Sequence, residues 1–179
     1  MKGSNFSLKP FPSDHKPPSL RVTGRLERKR NILFVSYSLN GSLTELLIPA
    51  PAKKSERRQA LWEETCLEFF LGISGSDSYR EFNLSPSGHW NVYLFTSYRK
   101  GMQEDQGFTS LPFSVSILPN SLQLSLQLDL KNIVPAGRTL KIAISAVIKD
   151  INSTITYWAL THPGPQPDFH SRESFIIRI

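Results

Sequence analysis

The chain contains a single cysteine, Cys66, in 179 residues. An intrachain disulfide framework is therefore excluded, and stability has to come from packing. No apolar run approaches the roughly 20 residues that a membrane-spanning helix requires. A phosphate-binding glycine loop, a dinucleotide glycine fingerprint and a CxxC pair are all missing, so nucleotide and structural-zinc functions have no motif behind them. No G-x-S-x-G elbow frames a serine, and Ser85, His162 and Asp168 do not amount to a triad. The opening MKGSNFSLKPFPSDHKPPSL has no continuous apolar core of the secretory kind, and the expected setting is the cytoplasm with no membrane partner.

Thirteen prolines, ten glycines and eleven phenylalanines stand against two methionines, a balance that favours short strands and turns over long helices. The length suits one domain able to bury a substantial core. Charge is uneven. Residues 1–60 hold twelve Lys/Arg against four Asp/Glu, and the remainder nine against eleven. The basic residues gather at 25–30 (RLERKR) and 53–58 (KKSERR). Neither cluster interleaves with aromatics that could stack bases, nor lies on a long amphipathic helix. Both read as solvated loops, and no nucleic-acid partner is expected.

Residues 1–18, with Pro10, Pro12, Pro17 and Pro18, read as a proline-rich arm preceding a single domain at 19–179. Residues 19–27 and 32–39 resemble a hairpin, and Asn40-Gly41 turns into a further strand at 43–48. Strands are expected at 65–73, 79–84 and 90–98, with the Ser85–Gly88 turn between the last two. The second half alternates strictly. Leu122, Leu124, Leu126, Leu128 and Leu130 fall at every second position, as do Leu140, Ile142, Ile144, Ala146 and Ile148. Residues two apart share one face of a strand, so each run has one buried and one wet side. Residues 154–160 and 174–179 complete the set. Nine to eleven short antiparallel strands without a helical period give an all-β, jelly-roll-like β-sandwich. Leu122, Leu124, Leu126, Ile142, Ile144 and Phe69 are its expected core.

Three features could carry function. The carboxylates Glu63, Glu64, Glu68 and Glu81 could in pairs serve glycosidase-like chemistry, or simply face solvent. The segment 157–170 packs Tyr157, Trp158, His162, Asp168, Phe169 and His170 around three prolines, which lower the entropy needed to present side chains in a fixed arrangement. Trp62, Trp90 and Trp158 lie near strand ends, where an aromatic face can serve as a platform for the flat C–H face of a sugar.

Together these segments carry a resemblance. LWEETCLEFF (61–70), YREFNLSPSGHW (79–90), YRKGM (98–102), WALTH (158–162), PDFH (167–170) and the closing F-x-I-x-I are similar to bacterial DOMON-like domains. That group is related to family 9 carbohydrate-binding modules and more distantly to haem-binding cytochrome domains. The resemblance covers residues 20–179 and implies a non-catalytic ligand-binding sandwich. It places Trp62 and Glu68 where the sugar modules have a stacking tryptophan and a hydroxyl-binding acid, and Trp158 where they have a second aromatic. Thr65 or Cys66 stands where those modules usually carry Asp, and the His162/His170 loop belongs to the DOMON-like group. The expected site is Trp62, Glu68, Asn83, Trp158, His162, Asp168 and His170, binding a saccharide or similar small polar ligand. The alternatives are a haem domain using Met102 with a histidine, and a hydrolase using Glu68 or Glu81 with a histidine. A loop supported by calcium stays open, as does the oligomeric state.

Overall fold

Alternation sets the layers. In β10 (Ser121–Asp129) the leucines at 122, 124, 126 and 128 are buried, while Gln123, Ser125 and Gln127 face water. In β4 (Ile32–Gly41) Leu33, Val35, Tyr37 and Leu39 do the same. These two strands pair with each other, and β3 (Leu20–Lys29), β1 (Lys2–Ser7) and β9 (Phe113–Leu118) extend them into a five-stranded sheet of order β1-β3-β4-β10-β9. The computed structural model describes residues 2–179. A second sheet runs β2-β12-β11-β5-β6-β7-β8, with β13 also on β11. Its strands are β2 (Lys9–Pro10), β5 (Cys66–Ile73), β6 (Tyr79–Leu84), β7 (Trp90–Phe95), β8 (Gln103–Glu104), β11 (Leu140–Lys149), β12 (Ile155–Ala159) and β13 (Ile177–Arg178). Every pairing between these strands is antiparallel, and the inner faces meet in one hydrophobic core that holds every core residue expected from alternation. Among the described residues, no helix is long and apolar enough to cross a membrane.

The two sheets differ on their outer sides. The first shows water mainly hydroxyls, amides and charged groups such as Arg21 and Arg25. β5, by contrast, is buried on both faces from Cys66 to Gly72. A second apolar cluster of Phe70, Tyr79, Tyr93, Phe95, Ala143 and Phe175 lies on that outer side, with Trp62 and Phe169 packed against it. A sheet buried on both faces needs a cover, here supplied by the loops around residues 60–64 and 164–176.

Several segments depart from expectation. The N-terminal segment, expected as an arm, gives one strand to each sheet, β1 on β3 and β2 on β12. Phe6 and Leu8 are the anchors concealed by its polar, proline-rich composition, and Phe6 packs edge-on to Tyr37 at 5.4 Å. Gly24 makes room for it: a Cβ there would lie 2.3 Å from Phe6 Cζ and 1.9 Å from Ser36 O. Residues 43–48 hold a 3-10 turn, Leu43–Glu45, in place of a strand. Leu43 and Leu46, three apart, both point inward, as a period near three requires. β7 stops at Phe95, because Thr96 N–H bonds Lys100 O and Arg99 turns at φ 53°.

The basic stretch at 53–58 is only partly a solvated loop. The Arg57 guanidinium donates to Asn91 Oδ1 at 2.7 Å, Asp105 O at 3.0 Å and Phe108 O at 2.6 Å. Its carbon lies 4.6 Å from the Trp90 ring centroid. Arg57 therefore ties the edge of the second sheet to the following loop. Arg57→Ala should lower unfolding free energy by roughly 2–3 kcal/mol, because it strands acceptors that lie partly out of water. Lys53→Glu with Lys54→Glu should stay within about 0.5 kcal/mol. Urea denaturation of the two variants checks the contrast, and equal effects would contradict it.

Candidate functional site

Register aligns five neighbouring strands across the outer side of the second sheet. Ser145 on β11 pairs with Glu68 on β5, and Glu68 with Asn83 on β6. One step along, Ala143 pairs with Phe70, and Phe70 with Glu81. Alternation then aims Tyr157 (β12), Val147 (β11), Glu68 and Phe70 (β5), Glu81 (β6) and Phe95 (β7) to one side. They line a cavity of about 600 Å³ that Trp62, Arg99, Met102 and the loop residues Gln166, Pro167, Phe169 and His170 complete.

Backbone strain positions two of these side chains. Trp62 sits in a 3-10 turn, Leu61–Glu63, entered through Ala60 at φ 55°. Arg99 itself has φ 53°. A non-glycine residue in this left-handed region costs of order 1–3 kcal/mol and persists only where its surroundings hold it. Trp62 leans edge-on against Tyr93 at 5.7 Å, which leaves it half-buried at the cavity. The tail loop is clasped by Asp168. Its carboxylate accepts from Tyr98 Oη–H at 2.7 Å, from Arg99 Nη2 at 2.8 Å and from the His170 backbone N–H at 3.1 Å. Phe169 is thereby held 6.0 Å from Tyr157, ring centroid to ring centroid.

The floor is electrostatically unusual. Glu68 is 2% exposed; its Oε2 accepts from Ser145 Oγ–H at 3.2 Å, and its Oε1 is buried with no partner. Burial pushes its carboxyl well above the usual range, and the neighbouring Glu81 pushes it further. Burial also raises Glu81, to about 7, against the lowering effect of the Asn83 amide donating to its Oε1 at 2.9 Å and of Arg99 nearby. His170 lies with Nε2 3.8 Å from Glu81 Oε2 and Nδ1 2.8 Å from the Tyr79 hydroxyl. Burial lowers its imidazole to about 4, so it is neutral at pH 7 and balances neither carboxylate.

Of the expected site residues, Trp62, Glu68 and His170 come together at this cavity. Asn83 stands behind it, fully buried between Glu81 and the Cys66 thiol. Asp168 is the clasp of the loop rather than part of the lining. Trp158 and His162 do not join. Trp158 is 3% exposed in the core between the sheets, its Nε1–H donated to Thr156 Oγ1 at 2.9 Å. The neighbouring Tyr157 takes the outward position, as period 2 along β12 demands. His162 lies outside the cavity, its Nε2 2.9 Å from Lys9 O and its ring edge-on to Phe11 at 5.2 Å. Reading each strand by alternation from Glu68 would have found Phe70, Glu81, Val147 and Tyr157. Arg99 and Phe169 come from loops and had no such signal.

The arrangement suits a small polar ligand better than a haem. His170 commits Nδ1 to Tyr79 and turns Nε2 towards Glu81, so it presents no nitrogen to pair with Met102 across the cavity. Among the described residues, no three His, Cys, Asp or Glu side chains converge at one point.

No protein-family model matches the sequence, and no curated protein matches it significantly. Solved structures do share its architecture. A candidate carbohydrate-binding protein from Bacteroides uniformis has a TM-score of 0.70 and 15% identity, covering 96% of this chain and 83% of its own. A family 9 carbohydrate-binding module from Caldicellulosiruptor kristjanssonii in complex with glucose has a TM-score of 0.50 and 12% identity, over 80% and 68% of the two chains. One in complex with cellotriose has 0.53 and 12%, over 84% and 70%. The chain is an antiparallel β-sandwich of the type these modules have.

The titrating groups on the floor fix a pH dependence. Glutamates in the unfolded chain release protons near 4.5, whereas the folded pair holds them higher, so its contribution to stability falls as pH rises above that value. His170 acts in the opposite sense. Unfolded it protonates near 6.5 and folded only near 4, so its contribution is lost as pH drops through that interval. The two trends oppose each other between 4.5 and 6.5. Above that window only the carboxylates act, and the melting temperature should decline towards about pH 8. Glu68→Gln should flatten the decline. Scanning calorimetry across the range tests this, and an unchanged slope in the variant would contradict it.

Proposed function

We propose that this chain is a non-catalytic saccharide-binding domain of the DOMON-like kind, with the sugar held in the cavity over β5 and β6. The observation that carries this reading is the lining: half-buried aromatics at the mouth over a floor with an unpartnered carboxyl oxygen. Trp62, Tyr157 and Phe169 offer ring faces to the apolar side of a pyranose, while Glu68, Glu81 and Arg99 offer hydrogen bonds to its rim. The DOMON-like motifs supply several of these residues, and sandwiches of the same fold are known in complex with glucose and cellotriose.

Binding fits better than hydrolysis. Glycoside cleavage needs two carboxyl groups flanking the scissile bond. Glu68 and Glu81 instead rise as diagonal neighbours from adjacent strands of one floor, so both approach a ligand from the same side.

Mutation separates the site from the core. Trp62→Ala should abolish sugar binding with only a small loss of thermal stability. Trp158→Ala should destabilise by roughly 3–5 kcal/mol, as large-to-small changes in a core do. A thermal-shift screen over mono- and oligosaccharides measures both. A ligand at 100 times its dissociation constant should add about 2.7 kcal/mol to the parent and nothing to Trp62→Ala. A sugar that stabilises Trp62→Ala as much as the parent would show the site to be elsewhere.

A further inference from the structure

Resting on the saccharide reading, we infer that the sugar bound here carries a protonated amine, which sits between Glu68 Oε1 and Glu81 on the cavity floor. The ligand class is an amino sugar with a free amino group.

The inference stands on what surrounds the pair. Glu68 and Glu81 are both buried and share one floor. Among the described residues, neither meets a lysine or arginine within 4.0 Å; His170 beside Glu81 is neutral, and Arg99 acts on Glu81 only through space. Arg99 and Arg172 make their direct contacts elsewhere, with Arg172 Nη1 buried and unpartnered. Arg99 pairs with Asp168 at 2.8 Å. Arg172 lies 4.6 Å from the Phe175 ring centroid and donates to Ser76 O at 2.9 Å. Cys66 and Ser145 face Glu68 only with weak or neutral dipoles, and Tyr37 of the opposite sheet reaches its main-chain oxygen, not its carboxyl group.

Buried carboxylates without a countercharge are strongly unfavourable and resolve by taking up protons or a cation. The empty protein uses protons, as the raised carboxyl groups indicate. A sugar hydroxyl replaces at most one hydrogen bond and leaves the charge problem unchanged. An ammonium group brings a full charge and three donors, enough to bridge one carboxylate and its still protonated neighbour. Trp62, Phe70, Tyr157 and Phe169 line the same cavity, and aromatic walls favour a cation over a neutral group. The exchange balances: the amine arrives as an ammonium ion, and the carboxyl proton it displaces leaves to buffer.

Isothermal titration at pH 6.5 in two buffers of different ionisation enthalpy tests this, using glucosamine, N-acetylglucosamine, glucose and cyclohexylamine as probes. Glucosamine should bind at least about tenfold tighter than either neutral sugar, with proton release that the neutral sugars lack. Glu68→Gln and Glu81→Gln replace each acid by a neutral isostere that the fold should accept, and each should erase both the preference and the proton release. Equal binding of glucose and glucosamine would overturn the amine while leaving the saccharide reading intact. Binding of cyclohexylamine without any sugar would keep the cation site and overturn the saccharide reading. No binding by any of the four would overturn both.

Discussion

Two glutamates, side by side beneath a loop with no lysine or arginine paired to them, are the constraint on which the candidate site of this molecule depends. Glu68 and Glu81 could occupy exposed strand positions at little cost if the outer side of the second sheet were wet. It is not wet, because Trp62, Phe169, Phe175 and their neighbours cover it. Desolvation then makes each carboxylate a strong acceptor and keeps water from competing for it. On the proposed reading, the same cover that makes the pair unfavourable in isolation is what selects the ligand.

The sandwich divides its labour accordingly. The five-stranded sheet contributes half of the core and shows Ser, Thr and Gln to solvent, while the second sheet contributes the other half and builds a site on its far side. Flat strands fix the floor through register, so the relative positions of Glu68, Phe70 and Glu81 do not depend on loops. Loops provide only the walls, and these are stiffened. Ala60 and Arg99 adopt left-handed backbone conformations, Pro163, Pro165 and Pro167 restrict the tail, and Asp168 ties that tail to Tyr98 and Arg99. Such preorganisation reduces the ordering cost of binding.

Much of this was legible in the sequence wherever period 2 was clean. The leucines from 122 to 128 mark one buried and one wet face, whereas along Leu140–Ile148 alternation marks only the inner face, because Ala143, Ser145 and Val147 on the expected wet side are buried as well. Trp62 and Glu68, which line the cavity, were singled out through a motif. Trp158 was misplaced by one position. An aromatic pair such as Tyr157-Trp158 must put one ring in each direction, and nothing local says which direction is the core. The N-terminal strands were hidden because two apolar anchors, Phe6 and Leu8, are outvoted by polar and proline neighbours. Arg57 was hidden for a different reason. A half-buried guanidinium and a solvated one look alike until the carbonyls that receive it, on Asp105 and Phe108, are brought close by the fold.

The most direct measurement is a carbon-13 NMR titration of the side-chain carboxyl carbons of Glu68 and Glu81 in the ligand-free protein. A buried pair without a countercharge predicts that Glu81 titrates with a midpoint of about 7 and that Glu68 keeps its proton well above the ordinary glutamate range. Two simple curves centred near 4.5, the ordinary value, would mean that both carboxylates are solvated or already paired, and would contradict the site described here.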